Sequence, residues 1–227
     1  IMHQMLLALA GGEAPPPGWN EALLFLLPKG GTLTALDMRP LAVTNAQNRI
    51  MAKCMVGALT PALESAISQH QAGFMKGRTG EGHIAAISKK FYGSVRGPKG
   101  RPYYVLFLDL YKAHDSVHWE WMMKKLEDIG LPAWTINIIK ALLHEVKITP
   151  FFGTRVNVWI LVTRGVRQGC PLSPLLFALC GDLLLRRLHQ LLSGGPVAGL
   201  CGRHWPGRQG LVHLRPALRP GLRGVRG

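Results

Sequence analysis

The chain has 227 residues, with 27 Lys and Arg against 12 Asp and Glu, and the resulting net charge of +15 favours a polyanionic partner. A composition of 48% hydrophobic and 17% charged residues is typical of a globular protein and excludes a wholly disordered chain. Residues 194–227 hold six Arg and no acidic residue, which leaves 21 basic and 12 acidic residues, a charge of +9, for residues 1–193.

The cysteines and the apolar stretches exclude further classes of protein. The four cysteines lie far apart without a CxxC pair, which argues against a zinc site or a disulfide scaffold and is typical of a reducing, intracellular compartment. The longest apolar stretch, residues 172–185, contains Asp182 and is too short to cross a bilayer. The sequence begins with Ile1 and has no signal-peptide pattern, so we interpret it as a piece of a longer reading frame.

The first elements follow from glycine, proline and apolar spacing. Glycines and prolines at residues 11–18 predict a flexible opening segment, residues 1–19, with ordered structure from about Trp19. Residues 22–27 form an apolar run of strand length. Apolar residues at helical spacing predict a helix over residues 44–67, with a break near Pro61. Thr44 and Asn45 are its alternative N-caps.

The second half of the sequence predicts a loop, a buried strand, two helices, a hairpin and a long helix. These elements cover, in chain order, residues 88–101, 103–110, 116–129, 133–145, 147–152 with 156–162, and 173–192. This order is that of a mixed α+β domain.

An acidic segment follows the predicted strand 103–110. It reads Asp-Leu-Tyr-Lys-Ala-His-Asp-Ser-Val from Asp109 to Val117. A carboxylate at the end of a buried strand is well placed to hold a divalent cation, which prefers oxygen ligands. On the residues alone, Asp109 and Asp115 are better explained as caps of the next helix.

A glycine-bearing segment precedes the last predicted helix. Residues 164–177 read Arg-Gly-Val-Arg-Gln-Gly-Cys-Pro-Leu-Ser-Pro-Leu-Leu-Phe. Free backbone N–H groups, small residues and basic side chains at a helix start can receive phosphate. The alternative is an ordinary loop that leads into a helix primed by proline.

Together the two segments resemble motifs A and B of the reverse transcriptases of LINE-type, non-LTR retrotransposons. The family's motif A reads D-x-x-K-A-F/Y-D-x-V followed by Trp, as residues 109–119 do except at His114. Upstream matches to the family's finger motifs are residues 27–29, 39–41, 71–74 and 77–78, with Asn45 and Lys53. The resemblance covers about residues 23–192, and the motifs occur in the family's order. The group II intron enzymes are related, but their motif B usually differs from this sequence.

The resemblance implies an RNA-directed DNA polymerase with a right-hand fold. Its fingers would cover residues 20–102, and a partial palm with a ferredoxin-like sheet and helices would cover residues 103–193, with the thumb absent. The ligands it implies are an RNA template, a DNA primer, deoxynucleoside triphosphates and Mg²⁺, with Mn²⁺ as an alternative metal; it implies no membrane.

The resemblance also carries residue roles. It makes Asp109 the catalytic metal ligand. It assigns nucleotide binding to Lys29, Arg39, His114, Gln168 and Gly169. It assigns template-binding or structural roles to Arg78, Lys112, Asp115, Arg167 and Pro171. The alternative for Lys29 and Arg39 is ordinary solvated surface charge.

His114 stands where the family has Phe or Tyr, a ring that stacks under the sugar and excludes a ribose 2′-hydroxyl. A smaller, hydrogen-bonding histidine leads to the hypothesis that ribonucleotides are tolerated, which the dNTP over rNTP preference of an intact relative carrying this histidine would test. The alternative is that His114 arose by sequence drift in a retrotransposon whose polymerase activity is no longer needed.

Motif C, which in the family carries Tyr-Ala-Asp-Asp and follows motif B, is missing. The chain has no acidic residue after Asp182, and Asp109 alone does not hold two metal ions. Residues 199–205, Gly-Leu-Cys-Gly-Arg-His-Trp, can be encoded as GGC CTA TGC GGA CGA CAC TGG C, which read one nucleotide later gives Ala-Tyr-Ala-Asp-Asp-Thr-Gly. We therefore predict a frameshift between about Leu192 and Ala198, which makes residues 194–227 a basic Arg/Gly/Pro tail read out of frame.

Two other functional hypotheses remain open. In one, the tail is an arginine-rich arm on a non-catalytic nucleic-acid-binding remnant, although its Arg residues alternate with Leu and Pro instead of clustering. In the other, the chain is the product of a pseudogene without a stable fold, because its palm sheet lacks the motif C hairpin.

Overall fold

A computed structural model describes residues 1–28, 38–96, 104–110, 112–153, 158–191, 197–198 and 210–214. The helices are α1 (Met2–Ala10), α2 (Ala46–Ala66), α3 (Gly80–Arg96), α4 (Trp119–Asp128), α5 (Ala133–Leu143) and α6 (Ser173–Leu191). The strands are β1 (Ala22–Pro28), β2 (Met38–Thr44), β3 (Tyr104–Leu108), β4 (Lys147–Pro150), β5 (Ile160–Leu161), β6 (Val197–Ala198) and β7 (Gly210–Leu214). Within the described part of the chain, no helix is both long and apolar enough to span a membrane.

The chain divides into two compact units, each built from two stretches of sequence. The first unit comprises residues 1–66 and 112–180, and the second comprises residues 67–111 and 181–227. The expected division into fingers and palm by chain order, at residues 102 and 103, remains a prediction.

The first unit is built on a four-stranded sheet with the order β2-β1-β4-β5. Strand β1 is antiparallel to β2 and parallel to β4, and β4 pairs with β5 as an antiparallel hairpin. One face of the sheet is covered, since Ala22, Ala42 and Thr44 are buried there. Buried apolar side chains of α2, α4, α5 and the first half of α6 supply the rest of the core of this unit, among them Met55, Leu59, Met122, Leu126, Ile138, Ile139, Leu175 and Leu179.

A buried chain of asparagines links α2 to α5. The Oδ1 atom of Asn45 accepts a hydrogen bond from the Asn48 N–H at 2.8 Å, so Asn45 is the cap of α2. Asn48 is fully buried and donates to Asn20 at 2.7 Å. Asn20 in turn donates to the carbonyls of Ala141 and His144 at the end of α5, at 2.7 and 2.5 Å. These bonds add side-chain partners for backbone carbonyls at the end of the helix, where regular helical hydrogen bonding stops.

The second unit contains a three-stranded sheet with the order β3-β7-β6. Strand β7 runs antiparallel to β3, from Gly210 opposite Leu108 to Leu214 opposite Tyr104. Strand β6 pairs antiparallel with β7. The tail therefore pairs beside the strand that leads to Asp109, although it has no carboxylate and does not supply the Asp pair of motif C.

The structure confirms most predicted elements and corrects four. The strand at residues 22–27, the helix at 44–67, the strand at 103–110, the hairpin, and the helices at 133–145 and 173–192 are present within a few residues of their expected bounds. Helix α2 runs through Pro61 without a break. The predicted helix 116–129 starts later, at Trp119, after a 3-10 turn at Ala113–Ser116.

The opening segment is the clearest correction, because residues 2–10 form a helix. Leu9 of α1 is 1% exposed, and the Asn137 side chain of α5 donates to the Ala10 carbonyl at 3.0 Å. A helix of nine residues is marginal alone, so these contacts with α5 stabilise it.

The predicted loop at residues 88–101 is also corrected. Helix α3 continues to Arg96, because Ile84, Ile87 and Phe91 recur at helical spacing and the basic residues of this stretch are good helix formers. Residues 97–103, with the glycines and proline that suggested the loop, lie outside the described residues.

Candidate functional site

The motif A turn, residues 112–117, and the motif B turn, residues 164–171, are joined by backbone hydrogen bonds in the first unit. The Gly165 N–H donates to Val117 O at 2.7 Å, and the Val166 N–H donates to His114 O at 2.8 Å. The Trp119 indole donates to Gly165 O at 2.7 Å. Two segments that the sequence singled out separately are therefore one structural site.

Both glycines of motif B are required by close backbone approach. A Cβ atom at Gly165 would lie 2.9 Å from Asp115 Cα, and one at Gly169 would lie 2.5 Å from Ala42 O. Both residues have positive φ, +90° and +115°, which side-chain-bearing residues rarely adopt. Gly165 thus holds motif B against motif A, and Gly169 holds it against β2.

Gln168, Gly169 and Arg39 belong to the same part of the first unit. The Gln168 carbonyl accepts the Ala42 N–H at 2.8 Å, so the motif B turn extends the edge of β2. The Gln168 side chain is exposed. Arg39, three residues before Ala42 on β2, is also exposed and pairs across the sheet with Leu27. Lys29, two residues further along, lies outside the described residues.

The His114 ring is held by stacking. It lies parallel to the Phe177 ring of α6, with 4.0 Å between the ring centroids and 16° between the planes. Burial lowers the pKa of His114 below its usual value, an effect that the Asp115 carboxylate partly opposes. The imidazole is therefore neutral at neutral pH and can donate or accept a hydrogen bond.

The lowered pKa of His114 predicts acid sensitivity. Below about pH 6.5 the unfolded chain binds a proton at this residue before the folded chain does, so the free energy of unfolding falls as the pH falls through that value. We expect the fall between pH 7 and pH 5 to be smaller in His114→Phe, which keeps the stacked ring and has no proton to bind. Urea midpoints measured across this range check it.

His118→Gln, at an exposed histidine four residues away, is the matched control. Some acid sensitivity should persist in every variant, because burial, with His70 and Arg78 nearby, also lowers the pKa of His83. Equal slopes for His114→Phe and the parent would contradict the assignment.

Arg167 is buried and bonded to backbone carbonyls of the first unit. Its side chain is 6% exposed and donates to Leu142 O at 2.8 Å and to Asn20 O at 3.5 Å. The guanidinium lies at the C-terminal end of α5, where the helix dipole favours a cation. Burial lowers the pKa of Arg167 from its very high usual value.

The other three residues at motif positions are at the surface or partly buried. Lys112 adopts a left-handed conformation with φ of 45°, and its carbonyl accepts the Asp115 N–H at 2.9 Å, which closes the 3-10 turn. Asp115 is exposed, with its backbone packed against Gly165, in agreement with a structural role. Pro171 is half-buried just before α6.

Asp109 and Arg78 belong to the second unit. Asp109 is exposed and directly follows β3. Arg78 is half-buried and donates to the carbonyls of Ser68 and Gln71 at 2.5 and 2.9 Å, which favours its structural role over a template contact. Asp182, which sequence reasoning did not single out, is buried and bound to the Ser68 hydroxyl at 2.5 Å and to Arg186 at 2.6 Å.

The comparison with protein families agrees with the two motifs. The model of the family described as "Reverse transcriptase (RNA-dependent DNA polymerase)" matches residues 27–198, which include both turns and Asp109. The chain belongs to the reverse transcriptase family. The resemblance to reverse transcriptases stated from the sequence is therefore confirmed.

The relatives that match this reverse transcriptase domain are proteins of transposable elements. The chain is 30% identical over 198 residues to the "Retrovirus-related Pol polyprotein from type-1 retrotransposable element R2" of Popillia japonica, covering 85% of the chain and 27% of that protein. It is 28% identical over 194 residues to the "Transposon TX1 uncharacterized 149 kDa protein" of Xenopus laevis, covering 85% of the chain and 15% of that protein. An R2 polyprotein of Nasonia vitripennis is 41% identical over 91 residues, covering 37% of the chain and 8% of that protein.

Proposed function

We propose that this chain supplies the fingers and part of the palm of an RNA-directed DNA polymerase, and that the chain as it stands binds template without polymerising. Family membership carries the activity class, since members of this family copy RNA into DNA. The chain spans about a quarter of the R2 relative, so its substrates are proposed for it as a domain of such a protein.

The nucleotide would meet the surface where motif B joins β2. Gln168 and Arg39 expose an amide and a guanidinium there, and Gly169 lets the backbone approach closely. The backbone of His114 is bonded to Val166 of motif B, and its ring stacks on Phe177. Lys29 would add a second cation for the triphosphate. A fixed fork of guanidinium donors suits an anion with several phosphate oxygens.

The described residues do not complete a metal site. Asp109 offers one exposed carboxylate, and no group of three or more His, Cys, Asp or Glu that could hold a metal occurs among the described residues. Two-metal nucleotidyl transfer needs carboxylates from more than one strand. We therefore assign Asp109 as one ligand of the Mg²⁺ or Mn²⁺ site of the family and derive no metal-dependent step for this chain.

The register of the second sheet supports the frameshift proposal. Because Leu108 pairs with Gly210, the end of β3 that leads to Asp109 and the start of β7 lie at the same edge of the sheet. Strand β6 ends at Ala198, opposite Leu211. The Asp-Asp pair of the shifted frame falls on residues 202–204, shortly after β6 in the chain and outside the described residues. The family match also ends at residue 198.

The observation that carries the proposed function is the joining of motifs A and B, and template binding tests it. We expect the chain to bind an RNA template annealed to a DNA primer, with an affinity that falls steeply with salt because basic residues displace counterions. Fluorescence anisotropy of a labelled hybrid at increasing KCl measures both. A chain that melts cooperatively and yet does not bind at low salt would contradict the proposal, and a chain without a cooperative melt would favour the pseudogene hypothesis.

A further inference from the structure

Strand β5 forms an open edge of the sheet in the first unit. It pairs with β4 on one side, and among the described residues no strand pairs with it on the other. Its two residues point to opposite faces of the sheet, and both are exposed, Ile160 by 51% and Leu161 by 48%. An exposed strand edge presents backbone N–H and C=O groups to which another strand can bind.

The hydrogen-bond register shows which backbone groups of β5 point away from β4. The Val162 N–H donates to Val146 O at 2.8 Å, so the backbone groups of Val162 point toward β4. Because this direction alternates along a strand, those of Ile160 also point toward β4, and those of Leu161 point away from it. Trp159, two residues before Leu161, continues the outward series.

A second bond gives the same alternation. The Phe151 N–H donates to Leu24 O of β1 at 3.0 Å, so the odd-numbered residues of β4 direct their backbone groups toward β1. Lys147 is one of them and lies opposite Leu161. The two members of a pair without mutual hydrogen bonds point away from each other, which places the Leu161 groups on the open side.

This edge lacks the features that usually prevent strand pairing. Residues 158–163 read Val-Trp-Ile-Leu-Val-Thr and contain no charged residue, proline or glycine. β-branched and aromatic residues are those that strands favour. Exposed edges in monomeric proteins usually carry Lys, Pro or a bulge, which block pairing with another chain.

A second copy of this chain fits the edge, because the edge is complementary to itself. Two β5 strands paired antiparallel about a two-fold axis at Ile160 place Trp159 of each copy opposite Leu161 of the other. Both residues then exchange the backbone hydrogen bonds that they direct outward. Val158 lies opposite Val162 in this pairing, so every pair between residues 158 and 162 is apolar.

The distribution of charge favours a second copy over a nucleic acid at this edge. Residues 158–163 offer no cation to a phosphate. Lys147 lies on β4, so three strand spacings, about 14 Å, separate the Lys147 residues of the two copies. This exceeds the Debye length of about 8 Å at physiological ionic strength, so the repulsion between them is largely screened.

We propose that two copies of this chain associate through β5 and join their sheets into one continuous sheet. The interface is short, and we expect a weak dimer with a dissociation constant of about 10–100 μM. Residues 1–193 of each copy carry a net charge of +9, so association should strengthen as salt rises. An assembly bridged by nucleic acid would weaken instead. The inference does not depend on template binding.

Charge exchange at the two-fold axis tests the proposal. Ile160→Lys and Ile160→Glu each place two like charges opposite each other and should weaken the dimer about tenfold, as measured by light scattering of the full chain over a range of concentrations. An equimolar mixture should restore the dimer, because Lys then lies opposite Glu. Trp134→Lys, at a residue of α5 that is 49% exposed, is the matched control and should dimerise as the parent does.

Cysteine cross-linking tests the register. At a pair without mutual hydrogen bonds the Cα atoms of antiparallel strands lie about 4.5 Å apart, within the range of a disulfide. With Cys54 and Cys201 replaced by Ser, the remaining native cysteines are buried. In that background Ile160→Cys should form a disulfide-linked dimer under mild oxidation, and Trp134→Cys should not.

Three outcomes would overturn the inference. They are a parent that stays monomeric well above the expected dissociation constant, an Ile160→Lys variant that dimerises as the parent does, and an association that weakens as salt rises. A mixture of Ile160→Lys and Ile160→Glu that stays monomeric, although each variant melts cooperatively in urea, would also contradict it. Restored association of the mixture would show in addition that both variants are folded.

Discussion

Gly169→Ala is expected to destabilise the first unit by about 2–4 kcal/mol, since it combines backbone strain with the loss of a hydrogen bond. The new Cβ would lie 2.5 Å from Ala42 O and 3.2 Å from Leu41 Cδ1, while φ is +115°. Ala42 lies within β2, which is paired with β1 along its length, so its backbone does not move freely. The motif B turn must therefore move away from β2, which breaks the bond between the Ala42 N–H and Gln168 O.

Gly130→Ala is the matched control for this substitution. Gly130 lies in the same unit and also has a positive φ, +81°, but a Cβ atom added there would have no atom of the described residues within 4 Å. It should lose only about 1 kcal/mol from backbone strain. Free energies of unfolding in urea measure both variants. A loss in Gly169→Ala no larger than that in Gly130→Ala would show that the contact with β2 does not constrain the turn.

Much of the fold was predictable because it depends on local periodicity. Helices α2, α5 and α6 carry apolar residues at helical spacing, and their predicted bounds agree with the observed ones within a few residues. Motifs A and B were recognisable in the sequence, and they marked the two turns that the structure joins. Helix α1 was not, because its stability comes from contacts with α5, which is more than a hundred residues away in sequence.

The site itself shows what residue type alone does not reveal. In the sequence Arg167 is a cation beside a motif glycine, and only the structure shows that it is buried against the end of α5. The contact of Gly169 with Ala42 joins residues far apart in the chain, so the sequence shows a glycine without showing what approaches it. Trp159 carried no motif, and its exposure and its nearness to Lys147 depend on the pairing of β4 with β5.

We expect that restoring the reading frame will give the chain polymerase activity, and this is the second large effect. The chain read in the shifted frame from codon 199 onward would carry Asp-Asp shortly after β6. In the present chain β6 belongs to the same sheet as β3, which leads to Asp109. Carboxylates from two places in one sheet could then hold the two metal ions that in-line nucleotidyl transfer requires. The present chain, with Asp109 alone, should show no extension.

Primer extension on an RNA template, with and without Mg²⁺, tests this account most directly. We predict no extension by the present chain, metal-dependent incorporation of deoxynucleotides by the frame-restored chain, and loss of that incorporation when Asp109→Asn is added to it. Extension by the present chain, or full activity of the frame-restored chain with Asp109→Asn, would contradict the account.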